Sequence, residues 1–359
     1  MKINKKIEEL LEPKSPTSSS MPTMDDELPL EENDRLALIS VHYGGYNEIR
    51  KNAIISASYD WDRQIEKPDD ALFIELVCPT ESPCFSQSDF PKWIRYMRIY
   101  GKERNRNLFQ KEALWNLATK YTDADKLLFL DSDISPIRTM HYFQQMKEAL
   151  VNGISIQACH CLIHEKYEDN PSIGNMYGIM SMKECPSGHV RFTGIGYGIT
   201  RHDFHERDGF QPFSIPGSGD MIFICESFPD IGFQFKNAIR YHQSLVRKCP
   251  RLKHDALDAT CQHNFHGNKE DRAYCWSREA VLCFGLPQAY CHVDSSGLIA
   301  WNDPDFILKE IVMQKKRMHT KQETYDLICE IVKKRLDLQE KDHAAKSRIF
   351  DKNDFNVND

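Results

Sequence analysis

The sequence has no apolar run of the roughly 18 residues that a membrane-spanning helix needs. Its first residues, MKINKKIEELLEPK, carry positive charge, but no apolar segment of the signal-peptide kind follows them. We therefore expect neither membrane insertion nor classical secretion, and we expect the chain to be cytoplasmic. The hydrophobic content of 41% over 359 residues is enough for a substantial core.

The chain also lacks an excess of positive charge. Its formal net charge is -7 and its pI is about 6.1. An acidic chain of this kind has no overall electrostatic attraction to nucleic acid, although a local basic groove is compatible with it.

No C-x-x-C pair occurs, and the 12 cysteines are scattered along the chain. This spacing argues against a zinc ribbon or a disulfide scaffold and favours buried thiols in a reducing compartment. The segment CHCLIH (159 to 164) places soft ligands close together, but strand alternation would send Cys159 and Cys161 to one face and His160 to the other. Because no second ligand pair at zinc-like spacing follows, we interpret the segment as a buried strand.

Composition divides the chain into four parts. Residues 1–34 are rich in serine, proline and acidic residues and predict a mobile arm, and residues 341–359 resemble them. Residues 303–340 carry apolar stripes among charged residues, which predicts C-terminal amphipathic helices. The region between, residues 35–302, is expected to form one folded domain.

Strand and helix patterns alternate through this region. Apolar segments at 36–41, 71–79 and 126–131 predict strands, and the intervening segments at 48–60 and 104–121 predict helices. This order is typical of an α/β fold whose mostly parallel sheet is flanked by helices.

Two aspartates terminate the third of these strands, in KLLFLDSD. Three other D-x-D patterns lie in polar or helical text, so only Asp131 and Asp133 follow an apolar strand, where open α/β sheets bind ligands. In an extended chain both side chains would point the same way, with Ser132 facing away. Since two bare carboxylates repel each other, the pattern suggests a Mg²⁺ or Mn²⁺ ion that holds a nucleotide diphosphate and acts as Lewis acid for a departing phosphate.

Several motifs in order resemble the GT-A-fold nucleotide-sugar glycosyltransferases, in particular viral, phage and bacterial enzymes of that fold. They are ISVHYGGY (39–46), LFQKEALWNLA (108–118), LLFLDSDI (127–134), GIGYGITR (194–201), GSGD (217–220), HNFHGNKEDRAY (263–274) and VDSSGLIAW (293–301). The resemblance implies a metal-dependent transferase with a nucleotide-sugar donor, expected to be a UDP-sugar. It leaves the acceptor open among a glycan, a protein, a lipid-linked sugar and a modified nucleobase.

The resemblance also implies donor-binding residues. His42 and Tyr43 would lie against the nucleotide base, and Glu75 would approach the base or the ribose. Lys111 and Asn116 would bind the donor, although each could equally be a solvated helix position.

At the metal, the resemblance implies Asp133 as the direct ligand and Asp131 as a contact through water or the ribose. The glycines of GIGYGITR lack dinucleotide-loop spacing, so we expect Gly196 to allow close approach to a sugar or to mark a bulged strand. Gly219 would let the backbone of GSGD turn close to the substrate.

Asp220, at the end of GSGD, is the expected catalytic base, with an apolar segment behind it to fix the carboxylate. The alternative is a helix N-cap. A base that reaches the acceptor hydroxyl would make the transfer inverting.

In HNFHG, either His263 or His266 is expected as a further metal ligand, with His266 preferred because Gly267 allows close backbone approach. Arg272 is expected to contact the diphosphate. The alternative is a surface turn with two solvated histidines.

Two other functions fit parts of this pattern. A metal-dependent phosphohydrolase also presents D-x-D after an apolar strand, but there the motif normally lies on the first strand and continues into threonine, whereas Ile134 and Ser135 follow here. The other is an inactive binding protein that kept the fold, against which the intact acidic and histidine motifs argue.

Overall fold

The computed structural model describes residues 34–106, 108–164, 176–181, 191–214, 217, 219–228, 245–264, 288 and 291–302. The chain divides into a unit of residues 1–33, which lies outside these ranges, and a unit that begins at Asp34. The predicted arm, C-terminal helices and tail likewise lie outside the described residues, apart from Asp34 itself.

Strands and helices alternate through the first half of the described chain, as predicted. The strands are β1 (Leu36–His42), β2 (Asp70–Val77), β3 (Arg95–Tyr100), β4 (Lys126–Leu130), β5 (Ile134–Ile137), β6 (Ile154–Gln157), β7 (Cys161–His164), β8 (Met176–Gly178), β9 (Arg191–Phe192), β10 (Gly196–Thr200), β11 (Lys253–Ala256), β12 (Thr260–His263), β13 (Cys291–Val293) and β14 (Ile299–Trp301). The helices are α1 (Glu48–Asp62), α2 (Lys111–Ala118), α3 (Tyr142–Ala149), α4 (Arg201–Glu206) and α5 (Gly219–Ser227), with 3-10 turns at Gln87–Asp89, Glu103–Asn105 and Thr119–Tyr121. Within the described ranges, no helix combines the length and apolarity needed to cross a membrane.

The central sheet has seven strands in the order β11-β6-β10-β4-β1-β2-β3. The pairs β1–β2, β2–β3, β1–β4 and β6–β11 are parallel, and only β10 runs antiparallel to its neighbours β4 and β6. The predicted α/β fold with a mostly parallel sheet flanked by helices is therefore confirmed.

A second sheet has the order β5-β12-β7-β8-β9. Its strand β12 pairs antiparallel with β5, which follows Asp131 and Asp133 directly in the chain. This pairing brings a segment more than 120 residues away in sequence to the end of β4. The strand predicted in CHCLIH is present as β7, in which Cys161 is buried.

Alternation along β1 divides the core into two layers. Leu36 and Leu38 pack on the face that α1 covers, whereas Ala37 and Ile39 pack on the face that α2 covers. Trp61 of α1 and Trp115 of α2 are among the largest fully buried side chains. The two helices thus hold the sheet from opposite sides and fix where its strands end.

Helix α2 is shorter than the predicted 104–121, because Arg106 has an extended backbone and Thr119–Tyr121 form a 3-10 turn. Gln110, the residue before the helix, is bonded through its side chain. Gln110 Nε2 donates to the carbonyl oxygens of Asn105 at 2.9 Å and Ile299 at 2.7 Å, and Ile299 N donates to Gln110 Oε1 at 2.9 Å. These bonds tie the residues before Lys111 to β14. The contact between Gln110 and Ile299 joins residues far apart in sequence, so the local helical periodicity could not predict it.

Gly196 is the first residue of β10 and lies opposite Leu130 of β4. Its φ is +148°, and a Cβ atom there would lie 2.3 Å from the carbonyl oxygen of Phe129. This contact explains why the strand pairing needs a glycine here, and the expected approach to a sugar or bulge beside the site stays a prediction.

We predict that Gly196→Ala lowers the free energy of unfolding by about 3 kcal/mol, because backbone strain and a clash with the neighbouring strand add. Gly153→Ala is the control. Gly153 also has positive φ, but nothing lies within 4 Å of its added Cβ, so it should lose only about 1 kcal/mol. Urea unfolding of both variants measures the difference. Equal losses would show that the close strand contact is unimportant.

Candidate functional site

Three parallel strands, β1, β2 and β4, end at the same edge of the central sheet. His42 is the last residue of β1, Glu75 lies near the end of β2, and Asp131 follows β4 directly. Chains of this fold class bind ligands at such an edge. The acidic, basic and imidazole side chains described below all belong to it, and we call it the carboxyl-terminal edge.

The Asp131–Asp133 segment is a turn and not the predicted extension of the strand. Asp131 N donates to the carbonyl of Ile195 at 2.8 Å, and Ile134 N donates back to the carbonyl of Asp131 at 3.2 Å. Ser132 and Asp133 are only 3% and 4% exposed. The two aspartates are therefore positioned by a turn pinned to the segment before β10, not by strand alternation.

Lys111, the first residue of α2, is paired with Asp131. Its Nζ lies 3.1 Å from Asp131 Oδ1 and 4.7 Å from the centre of the Trp115 ring. Burial lowers the pKa of Lys111, but Asp131, Glu112 and Asp220 together raise it well above its ordinary value. The lysine is thus a fixed cation at the edge and not a solvated helix residue.

His263 reaches the turn through the pairing of β12 with β5, in which it lies opposite Ile134. Its Nε2 lies 3.7 Å from Asp133 Oδ1, and the next residue, Asn264, donates its backbone N–H to the carbonyl of Asp133 at 2.9 Å. Of the two histidines predicted as metal ligands, His263 is thereby placed beside Asp133. His266, which was preferred, and Arg272 lie outside the described residues.

Asp220 is the second residue of α5, inside its first turn and not at the N-cap. The hydroxyl of Thr193 donates to Asp220 Oδ2 at 2.6 Å, and a Cβ atom added to Gly194 would lie 3.1 Å from the same oxygen. Ile222 and Phe223 behind it are buried. The carboxylate is therefore held at the site by the segment before β10, and it interacts electrostatically with Lys111 and Asp131.

Glu112 is a carboxylate of this site that the sequence patterns did not single out. It is 1% exposed, and neither of its oxygens has a hydrogen-bond partner among the described residues. An added Cβ on Gly219 would lie 2.0 Å from Glu112 Oε1, so any larger residue there would have to displace the Glu112 side chain. The expected approach of Gly219 to the substrate stays a prediction. One feature of the sequence points to Glu112: it is an acidic residue at helical spacing between Leu108 and Trp115, on the apolar stripe.

The remaining predicted donor contacts are buried, and several are already engaged. His42, Tyr43 and Glu75 are 1%, 3% and 1% exposed. Glu75 accepts bonds from Cys84 N at 2.6 Å and from the hydroxyl of Tyr96. Contact of these residues with a nucleotide stays a prediction.

Asn116 is bonded to the backbone of Phe210 in both directions, at 2.8 Å each. These two hydrogen bonds join α2 to the turn after α4, so Asn116 has a structural role. Its predicted contact with a donor also stays a prediction.

The donor set at Asp133 and His263 offers a carboxylate oxygen, the kind of ligand that Mg²⁺ and Mn²⁺ prefer, and an imidazole nitrogen 3.7 Å from it, which suits Mn²⁺ better than Mg²⁺. Asp131 lies in the same turn, but its Oδ1 is engaged by Lys111. Among the residues that the structure describes, the close-set trio of ligating side chains lies elsewhere on the edge, at His42, Glu75 and Cys84.

No family model and no curated protein matches the chain. Similar solved structures include S. aureus TarS 1–349, at 9% identity and a TM-score of 0.36, covering 69% of this chain and 64% of the TarS chain. The mannosyltransferase PcManGT from Pyrobaculum calidifontis, in complex with GDP-Man and Mn²⁺, is 11% identical with a TM-score of 0.34, covering 84% of this chain and 69% of that one.

Glucosyl-3-phosphoglycerate synthase from Mycobacterium tuberculosis, in complex with Mn²⁺, UDP and phosphoglyceric acid, is 13% identical with a TM-score of 0.37, covering 72% of this chain and 81% of that one. The present chain thus spans less than two thirds of the TarS chain. These three structures resemble the chain only weakly. With TM-scores of 0.34 to 0.37 they assign no function to this chain.

The buried carboxyl of Glu112 predicts a pH-dependent stability. Burial raises its pKa from 4.5 to about 7, with Lys111 opposing the shift and Asp220 and Asp131 adding to it. The contribution of the protonated carboxyl is therefore fully present below pH 4.5 and is lost as the pH rises through about 7.

Glu112→Gln cannot ionise, so its stability relative to the wild type should rise between pH 5 and pH 8, by on the order of 2 kcal/mol. Urea unfolding at the two pH values measures this change. Glu206→Gln, at an exposed position of α4, is the control and should show no such change. A relative stability of Glu112→Gln that is the same at both pH values would contradict the assignment.

Proposed function

We propose that the chain is a metal-dependent glycosyltransferase that moves a sugar from a nucleotide-sugar donor, a UDP-sugar, to a hydroxyl acceptor. The observation that carries the proposal is the grouping of these side chains at the carboxyl-terminal edge. Asp133 lies beside His263, Asp131 is paired with Lys111, and Asp220 interacts electrostatically with Asp131. An acidic turn, a fixed cation and a separate carboxylate are the parts that transfer from a nucleoside diphosphate requires.

In this proposal Asp133 and His263 hold the divalent cation, Mn²⁺ or Mg²⁺. When bound, such an ion neutralises the donor diphosphate and the charge that develops as the diphosphate leaves. Asp131 remains paired with Lys111, which leaves it to act through water or the ribose of the donor. Lys111 adds a second positive charge beside the leaving group.

Asp220 is the proposed base. Its carboxylate accepts the proton of the acceptor hydroxyl while the acceptor oxygen forms a bond to the anomeric carbon and the bond from that carbon to the diphosphate breaks. Attack from the side opposite the leaving group inverts the anomeric configuration. Thr193 and the first turn of α5 orient the carboxylate, since they fix its position before substrate arrives.

A phosphohydrolase is the alternative reaction, and the place of the acidic turn in the chain disfavours it. The turn follows the fourth strand and not the first, and Ile134 and Ser135 follow it in place of the usual threonine. Release of UDP from UDP-sugars without release of phosphate from generic phosphate esters separates the two reactions.

We predict that Asp133→Asn and His263→Ala each weaken Mn²⁺-dependent binding of UDP by at least tenfold, because each removes a ligand of the cation. Ten-fold corresponds to about 1.4 kcal/mol. Titration calorimetry with UDP, with and without Mn²⁺, measures the change.

The matched controls are Asp123→Asn, from another D-x-D pattern and with a side chain 75% exposed, and His202→Ala, at an exposed position of α4. Both should bind UDP as the wild type does. Wild-type affinity in both site variants would remove the metal assignment.

Asp220→Asn should leave UDP binding intact and lower the turnover number by about 10² to 10⁴, the usual contribution of a general base. Turnover is measured as UDP release at saturating donor, and the melting temperature is recorded for the same protein. A variant that melts lower but turns over normally would make Asp220 a structural residue. A product that keeps the anomeric configuration of the donor would overturn direct inversion.

A further inference from the structure

A second group of ligating side chains lies on the same edge, outside the proposed transfer machinery at Asp133, His263 and Asp220. His42 and Glu75 are directly opposite each other in the β1–β2 pairing, and Cys84 follows in the segment after β2. One ligating atom from each lies within 4.8 Å of the other two. All three residues are buried, at 1%, 1% and 3% exposure.

One nitrogen of the His42 imidazole is available as a ligand. Its Nε2 lies 3.2 Å from the carbonyl oxygen of Gly45, and its Nδ1 is buried with no hydrogen-bond partner in the described part of the chain. A neutral ring that donates Nε2–H to this carbonyl keeps its lone pair on Nδ1. Metal-bound histidines are commonly fixed in this way, by a bond from the second nitrogen to a backbone carbonyl.

The other two residues are held as well. The backbone N–H of Cys84 donates to Glu75 Oε1 at 2.6 Å, and the hydroxyl of Tyr96 donates to Glu75 Oε2. The thiol of Cys84 donates to the same Gly45 carbonyl that His42 approaches, at 3.0 Å, and it would give up this bond on losing its proton to a metal. Positive φ angles at Gly44 and Gly45, of 95° and 80°, turn this carbonyl toward the trio.

The geometry points to a zinc site formed by His42, Glu75 and Cys84. Imidazole nitrogen, thiolate sulfur and carboxylate oxygen are the three donor types that Zn²⁺ takes in proteins. A thiolate also selects against Mg²⁺ and Mn²⁺, which prefer oxygen ligands. One thiolate and one carboxylate offset the charge of the ion, and Arg98, whose Nε lies 3.6 Å from Glu75 Oε2, leaves one positive charge at the half-buried margin of the site.

The site differs in chemistry from the Asp133 and His263 position. A zinc ion bound by His42, Glu75 and Cys84 would join the end of β1, the end of β2 and the segment after β2. Because these elements border the proposed donor site, the ion would fix that border while taking no part in transfer. The inference does not rest on the proposed transfer chemistry, and either can fail alone. It does replace the predicted contact of His42 and Glu75 with the nucleotide, since these side chains would be engaged by the zinc ion.

The test measures zinc in the full chain after purification without chelators or affinity metals. Elemental analysis should give about one zinc per chain in the wild type. Cys84→Ser should lose most of it, and Cys78→Ser, which removes another buried thiol nearby, should retain it. Asp133→Asn should keep its zinc while losing Mn²⁺-dependent UDP binding, which separates the two sites.

Cobalt substitution keeps the inference testable if Cys84→Ser fails to fold. Wild-type protein stripped of zinc and titrated with Co²⁺ should develop the near-ultraviolet band of a thiolate-to-cobalt charge transfer. Absence of that band, or a zinc content that is equal in the wild type and Cys84→Ser, would overturn the site.

Discussion

Among the described residues, several carboxyl groups crowd around Lys111 at the carboxyl-terminal edge, and this excess of acidic groups over the lysine governs the site. Asp131, Glu112 and Asp220 each interact electrostatically with Lys111, and Asp133 adds its charge beside Asp131. Lys111 pairs directly with one of these acids, at 3.1 Å. Burial makes the remaining charges costly, which is why the pKa of Glu112 rises and why a cation is the natural complement of Asp133.

The fold supplies this arrangement from separate parts of the chain. The acidic turn of Asp131 and Asp133 directly follows strand β4. Helix α2, which packs on one face of the sheet, places Lys111 and Glu112 at the edge, and α5 places Asp220 there. The pairing of β12 with β5 adds His263. Each element is held by the core or by backbone bonds, so the charges cannot separate to relieve their repulsion. A site built in this way is arranged before a ligand binds, which reduces the reorganisation that binding must pay for.

The sequence predicted the strands that end at this edge, because β1, β2 and β4 are apolar runs bounded by polar residues. It also predicted Asp131, Asp133, Lys111 and Asp220 as site residues, and the structure brings them together. Their positions depend on long-range contacts that periodicity does not contain. The turn at Ser132 is set by a bond to Ile195, and the residues before α2 are tied to β14 through Gln110.

The site residues that sequence patterns did not identify also depend on long-range contacts. Glu112 is a polar residue on a buried helix face, and its meaning emerges only when Gly219 is seen against it. Cys84 follows a strand in irregular text, and only the loop geometry brings it to His42 and Glu75. Register between distant strands decides which side chains meet, and local patterns do not specify that register.

The central claim is that a cation at Asp133 and His263 neutralises a nucleoside diphosphate at this edge. Phosphorus NMR of UDP bound to the protein tests it most directly, with Mn²⁺ as a paramagnetic probe. Substoichiometric Mn²⁺ should broaden both phosphorus resonances of UDP in the presence of the wild-type chain, beyond the broadening with Asp133→Asn at equal concentrations. Equal broadening with the two proteins, or tight UDP binding that needs no divalent ion, would contradict the account.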